Sequence, residues 1–141
     1  MWNTEYTVET DVPADALWSA LRDLHTGTPI GPSSDTFDIQ GPFAVGTEIL
    51  VTPQGQDTFR STIVELEENR RYADRTEFGE LTLLFRHTLD PVGSGTRVTH
   101  RLEIDGAQAD AMGPEIGPSI SEDFPVAMDE LIAAGRRVAA S

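Results

Sequence analysis

The sequence predicts an α+β fold in which a curved antiparallel sheet wraps around a C-terminal amphipathic helix. Three observations predict it. A weakly alternating first strand runs straight into a short amphipathic helix, the middle of the chain reads as strands joined by tight turns, and the last quarter carries a helical apolar stripe.

Each element has its own signal. Residues Glu5 to Thr10 alternate around Tyr6 and Val8, which is a first strand. From Asp11 to Arg22, Pro13 falls near the first helical turn and Asp11 and Asp15 near its positive end, while Leu17, Trp18 and Leu21 share one stripe. His25 to Asp35 is turn-rich and breaks that period. Strands then follow at Thr36 to Gln40, Thr47 to Thr52, Phe59 to Glu67, Arg71 to Phe78, Leu81 to Leu89 and Thr96 to Asp105. The connections at Glu68-Asn69, Gly79-Glu80 and Gly93-Ser94 have hairpin chemistry, which makes this stretch an antiparallel meander. From Pro114 to Ala140 an apolar stripe passes through Ile116, Ile120, Phe124, Ala127, Met128, Leu131, Gly135 and Val138. Pro118 is placed to start the regular helix, and Pro125 to kink it by removing a backbone donor. With no repeat and no low-complexity tract, residues 1–141 are expected to form one domain.

Composition narrows the partners. The 141 residues hold 24 acidic and 10 basic side chains, 3 histidines and no cysteine, for a net charge of -14. Such a charge repels phosphate backbones and anionic lipid headgroups, so neither nucleic acid nor membrane insertion is expected. Without cysteine there is no disulfide scaffold, thiolate zinc site or cysteine nucleophile. The start, Met-Trp-Asn-Thr-Glu-Tyr, is polar and acidic, unlike a signal peptide, so a cytoplasmic setting is expected. All ten cations are arginine, which fits a GC-rich genome or a salt-adapted surface and identifies no activity.

The hairpins supply a register, and the register supplies candidates. Turning at Gly93-Ser94 sets Leu89 opposite Val98, His87 opposite His100, Phe85 opposite Leu102 and Leu83 opposite Ile104, all on one face. The other face receives Thr82, Leu84, Arg86, Thr88, Arg97, Thr99, Arg101 and Glu103, and its polarity marks it as outer. Turning at Gly79-Glu80 sets Tyr72 opposite His87 and Asp74 opposite Phe85. The inner face then carries the row Tyr72–His87–His100 beside Asp74–Phe85–Leu102. Polar groups on a concave apolar surface read either as a ligand cavity that orients a mostly apolar guest, or as space-filling groups that bond one another. Arg60 is open at this point. It faces out if Phe59, Ser61 and Ile63 face in, and faces in with Val64 and Leu66. An inward Arg60 is the cavity's cation, able to hold a carboxylate or enolate oxygen.

Several of these stretches together resemble a family. They are Val12-Pro13-Ala14-Asp15-Ala16-Leu17-Trp18, Gly41-Pro42-Phe43-Ala44-Val45-Gly46-Thr47, Phe85-Arg86-His87-Thr88-Leu89, Gly95-Thr96-Arg97-Val98-Thr99-His100-Arg101 and the last helix. In order and spacing the chain is similar to the START-like, or SRPBCC, superfamily, specifically its bacterial polyketide cyclase/dehydrase and lipid transport members. The resemblance implies the helix-grip (START/Bet v-like) fold: seven antiparallel strands, two short helices after the first strand, and a long C-terminal helix over a deep hydrophobic cavity. Relatives in that superfamily include polyketide cyclases, plant allergen-like carriers, hormone receptors, lipid-transfer domains and a chaperone activator, so fold alone does not fix function. One departure stands out. Many bacterial members carry Trp-x-x-Trp after the first helix, whereas this chain reads Leu24-His25-Thr26-Gly27-Thr28-Pro29-Ile30-Gly31, so its cavity entrance is expected to differ.

Two functions remain in view. One is binding of a polyketide-, lipid- or aromatic-like small molecule by Tyr72, Asp74, Phe85, Leu102, Phe124 and Met128, with Arg60 if it turns inward. The other is a cofactor-independent cyclase, aromatase or dehydratase. There His87 or His100 serves as general base, because an imidazole titrating near neutrality suits enolisation, and Tyr72 or Arg60 holds the oxyanion. No cofactor and no metal are expected. Asp74 lies diagonal to the histidines, and neither a Gly-x-Ser-x-Gly elbow nor a phosphate-cradling loop is present. Trp2 and Trp18 read as packing residues, Asp123 as a rim or exposed residue, and the chain as a monomer or homodimer.

Overall fold

The computed structural model describes residues 1–141. The order is β1 (Trp2–Thr10), α1 (Ala14–His25), β2 (Thr36–Ile39), β3 (Glu48–Thr52), β4 (Phe59–Glu67), β5 (Arg71–Phe78), β6 (Leu81–Val92), β7 (Gly95–Gly106), α2 (Ala109–Ser121) and α3 (Phe124–Ala140). One seven-stranded antiparallel sheet runs β1-β7-β6-β5-β4-β3-β2. Every strand after β1 pairs with its sequence neighbour, and β1 closes onto β7. Gly79 and Gly93 have φ of 62° and 59°, the positive value that tight hairpins with glycine first in the turn require. Those turns set the expected registers: His87 opposite His100, Tyr72 opposite His87, and Asp74 opposite Phe85.

Strand β4 resolves the question of Arg60. A bulge between Ile63 and Glu65 inserts one extra residue, so Ile63 pairs with Asp74 while Leu66 pairs with Tyr72. Because the bulge shifts the alternation, Ser61, Ile63 and Leu66 all reach the inner side, and Arg60 faces outward.

Helix α1 buries Leu17, Trp18 and Leu21, and α3 packs chiefly on α1, with lesser contact to β1 and β7. Two apolar clusters result. The larger joins Leu17, Leu21, Ile49, Ile63, Tyr72, Leu89, Val98, Met128 and Leu131. The smaller, under α2, joins Leu81, Leu83, Leu102 and Ile104 with Trp2, Met112, Ile116 and Ile120 around it.

Three local expectations need correction. A single helix follows β1, and the stretch where the resemblance implies a second one forms turns. The C-terminal segment is two helices rather than one kinked helix, and Pro118 lies inside the first of them instead of starting a regular helix. The break falls at Glu122-Asp123, and Pro125 sits in the first turn of α3, where its missing N–H leaves no bond unmade. Val138, placed on the apolar stripe, is exposed in the last turn of α3 beside an open cleft.

Trp2 is a packing residue with a specific seat. Its indole lies across Gly113 and Gly117 of α2, where a Cβ at either glycine would overlap the ring. Gly117→Ala should therefore cost about 1–3 kcal/mol, the usual cost of overpacking. Urea denaturation measures it, and an unchanged midpoint would show that the indole is free to move aside.

Candidate functional site

The site is assembled from the middle of β5, β6 and β7, which align Tyr72, His87 and His100 in one cross-strand row; β1 extends it with Tyr6, opposite His100. Strand pairing brings such neighbours to about 5 Å at Cβ, and the rings meet. His87 and His100 stand edge to face with centroids 4.4 Å apart, and Phe124 of α3 meets His100 at 6.0 Å. Phe43, from the β2–β3 connection, stacks on Tyr72 with 6° between the planes.

His25 joins this row, although it opens a turn-rich stretch of sequence. It is the last residue of α1, one turn beyond Leu21 and two beyond Leu17, and so it continues their buried stripe. Its ring lies 4.0 Å from Tyr72 and 5.5 Å from His87, and Nδ1 donates to the Leu21 carbonyl at 2.8 Å. That i, i+4 spacing was the available signal. The three histidines of the chain thus converge on one spot.

A second polar group sits one step along β5. The Tyr72 hydroxyl donates to the Asp74 carboxylate at 2.8 Å, since residues two apart share a face. The β4–β5 register, continued by one residue, sets Ser61 beside Thr76 next to that pair. Three buried polar atoms on this face lack any hydrogen-bond partner, Thr76 Oγ1, His87 Nδ1 and His100 Nε2, while the Ser61 hydroxyl lies within reach of the Asp74 carboxylate.

Of the residues singled out from sequence, Tyr72, Asp74, His87 and His100 share the inner face with Phe85 and Leu102, Phe124 of α3 meets His100, and Met128 belongs to the larger apolar cluster with Tyr72. Phe85, His87 and Phe124 keep some exposure while Tyr72, Leu102 and Met128 are fully buried. Arg60 is not among them. It lies outside, its guanidinium 3.1 Å from Glu48, because the β4 bulge fixes its side of the sheet. Two open clefts of about 300 and 250 Å³ lie elsewhere, at the β6–β7 turn and between the ends of α1 and α3.

Electrostatics separates the titratable groups. Burial pushes the His25 and His100 imidazoles down to about 4, and His87 is held well below its ordinary value by burial and by its two histidine neighbours. The titration near neutrality expected of these imidazoles is therefore absent, and they are uncharged at pH 7. Asp74 moves the other way: burial raises its carboxyl to about 6, against the pull of the Tyr72 and Ser61 hydroxyls. Burial and the Asp74 charge raise Tyr72. Asp35 is also raised to about 6, by burial and by the charge of Asp123 at the α2–α3 junction.

A seven-stranded antiparallel sheet closed by a C-terminal helix, with Phe124 of that helix against His100, defines the class: this is the helix-grip fold. The sequence profile of the polyketide cyclase / dehydrase and lipid transport family matches residues 1–135, and the chain belongs to that family. Among solved structures, Ara h 8.0201 is similar at 18% identity over 99% of both chains, with a TM-score of 0.73. Truncated norcoclaurine synthase from Thalictrum flavum is similar at 14% identity over 98% of this chain and 92% of its own, also with a TM-score of 0.73. A protein of Nitrosomonas europaea is similar at 17% identity over 99% and 97% of the two chains, with a TM-score of 0.69. At these identities the likeness is one of fold. No curated protein sequence gives a significant match.

Two predictions come from the shifted groups. In the unfolded chain His25 and His100 titrate near 6.5, so below that pH the unfolded state takes up protons that the folded state refuses until about 4. Their stabilisation is complete above 6.5 and is lost as pH falls toward 4. His100→Gln should flatten the decline of the thermal midpoint over that window. Asp74 has the opposite sign, because its folded value lies above its ordinary 3.8 and its ionised form is penalised at neutral pH. Asp74→Asn keeps an acceptor for Tyr72 and should raise stability at neutral pH by up to about 3 kcal/mol, with the gain shrinking as pH falls from 6 to 3.8. Thermal melts across that range measure both.

Proposed function

We propose that the protein binds a hydrophobic small molecule between the inner face of the sheet and α3, with the polar row fixing its orientation. One observation carries this reading: His87 Nδ1 and His100 Nε2, on two rings in contact at the middle of the inner face, are buried without a hydrogen-bond partner. Such atoms are costly to bury unless something bonds to them, and a core serving packing alone would replace them with apolar groups. Phe85, Leu102, Phe124 and Met128 would supply the apolar walls, and His87 and His100 the hydrogen bonds, with Thr76 further along the face. The family supports a fold for hydrophobic ligands, while polyketide, lipid or another aromatic compound remain the choices within it. A cytoplasmic monomer or homodimer belongs to the same proposal. No helix is long and apolar enough to cross a membrane.

Titration with the neutral fluorophore N-phenyl-1-naphthylamine tests this. We expect saturable enhancement at one molecule per chain. His87→Trp should weaken it by about tenfold or more by putting a larger ring in the middle of the polar row, and Arg60→Ala should leave it unchanged. Binding that survives His87→Trp would place the ligand elsewhere.

A second reading rests on Asp74, whose carboxyl near 6 and bond to Tyr72 make it the interior group best matched to proton transfer near neutrality. In a cofactor-independent cyclase or dehydratase, Asp74 would take the proton α to a carbonyl. The uncharged imidazoles of His87 and His100 would donate hydrogen bonds to the enolate oxygen. Exchange of ketone α-protons in D₂O, followed by NMR, separates the readings. An enzyme should lose about 10²-fold or more with Asp74→Asn, and His87→Gln and His100→Gln should also slow it. A carrier catalyses no exchange and keeps its binding within about tenfold in the histidine variants.

A further inference from the structure

We infer that the interior site takes an uncharged ligand and rejects an anionic one of the same shape, an inference that rests on the binding reading above. It follows from where the cations are. Eight of the ten arginines are exposed, and the other two, Arg86 and Arg101, are spent on the outer face against Glu65, Glu103 and Glu5. The N-terminal amine pairs with Asp110 on the surface. Arg60, the one residue placed to bring a guanidinium inside, is turned out by the β4 bulge and held by Glu48. Lysine is absent from the chain.

The remaining interior groups cannot substitute. His25, His87 and His100 are uncharged at neutral pH, and a ring already crowded by two others resists taking a proton. The one formally charged side chain on the inner face is Asp74, which is negative when ionised. The charges flanking Phe124 at the α2–α3 junction, Asp123 and the Asp35 beside it, are negative too. A carboxylate or phosphate in this site would leave water for a place with no cation and at least one competing anion. Burying an unpaired charge is among the most costly events a protein interior can host. Hydroxyl, phenol or keto groups meet neutral partners instead: a threonine hydroxyl and imidazole nitrogens now without bonds.

The preferred guest is therefore an uncharged aromatic or aliphatic compound bearing hydroxyl or carbonyl groups. Free fatty acids and phosphorylated lipids are excluded.

Matched pairs test this on the intact chain. 2-Naphthol and 2-naphthoate share one skeleton, as do decan-1-ol and decanoate, and each can displace N-phenyl-1-naphthylamine at neutral pH. The alcohol of each pair should bind at least about 100-fold more tightly than the acid. His87→Arg, at the partly exposed position of the row, should narrow that gap by about tenfold or more by supplying the missing cation. An acid that binds wild-type protein as tightly as its alcohol overturns the inference and leaves the binding reading intact. If no member of either pair displaces the fluorophore and the fluorophore itself does not bind, the binding reading fails and this inference falls with it. Displacement by the acids alone would show that a cation enters the site after all.

Discussion

The twelve-residue pairing of β6 with β7 is the constraint on which the interior depends. Side chains alternate with a strict period of two, so a slip of one residue would send His87, His100, Phe85 and Leu102 to solvent and bring Arg86 and Arg101 inside. The short turns at Gly79 and Gly93 prevent that slip from either end of β6. Once the register is set, the neighbouring strands add to the same rows: Tyr72 from β5, Leu66 from β4 and Tyr6 from β1. Helix α1 then seats His25 against a surface that the sheet has already defined.

The same alternation sorts charge. On the outer face, Glu5, Arg101, Glu103, Arg86, Glu65 and Arg71 form a continuous run of ion pairs across β1, β7, β6, β5 and β4. Single exposed pairs contribute little, but a linked network with half-buried guanidinium groups holds each partner in place for the next. The opposite face has no cation at all. The strong negative charge of the chain is thus mostly a property of its surface, and the interior is defined by polar groups kept neutral through burial.

The hairpins were legible because glycine in a two-residue turn fixes the pairing of every residue on both sides, which placed Tyr72, Asp74, His87 and His100 without further information. The bulge in β4 was not, since nothing in Ile63-Val64-Glu65 marks an inserted residue; two incompatible alternation patterns were each half correct. Pro125 was read as a kink because local sequence does not distinguish a proline inside a helix from one that begins it. The packing of Phe124 against His100 and of Met128 in the main cluster belongs to a helix that restarts at that point. His25 was lost for a related reason. Glycine and prolines directly after it mask the helical spacing that aligns it with Leu17 and Leu21. The titration of the histidines was beyond reach, because it depends on three rings from α1, β6 and β7 crowding one another.

The pairing of β1 with β7 has a further effect, in time rather than in space. Thr7 and Thr99 touch across the sheet although 92 residues separate them in the chain. Closing so long a loop is slow, and topologies rich in distant pairs fold slowly. As the chain leaves the ribosome, the local hairpins from β2 to β6 can form first, while β1 waits with its inward residues uncovered until β7 has emerged. Until then Trp2, Tyr6 and Val8 lack the strand that later pairs with them. The interval in which this protein most needs protection from aggregation is therefore built into its topology and ends only when the first strand closes the sheet.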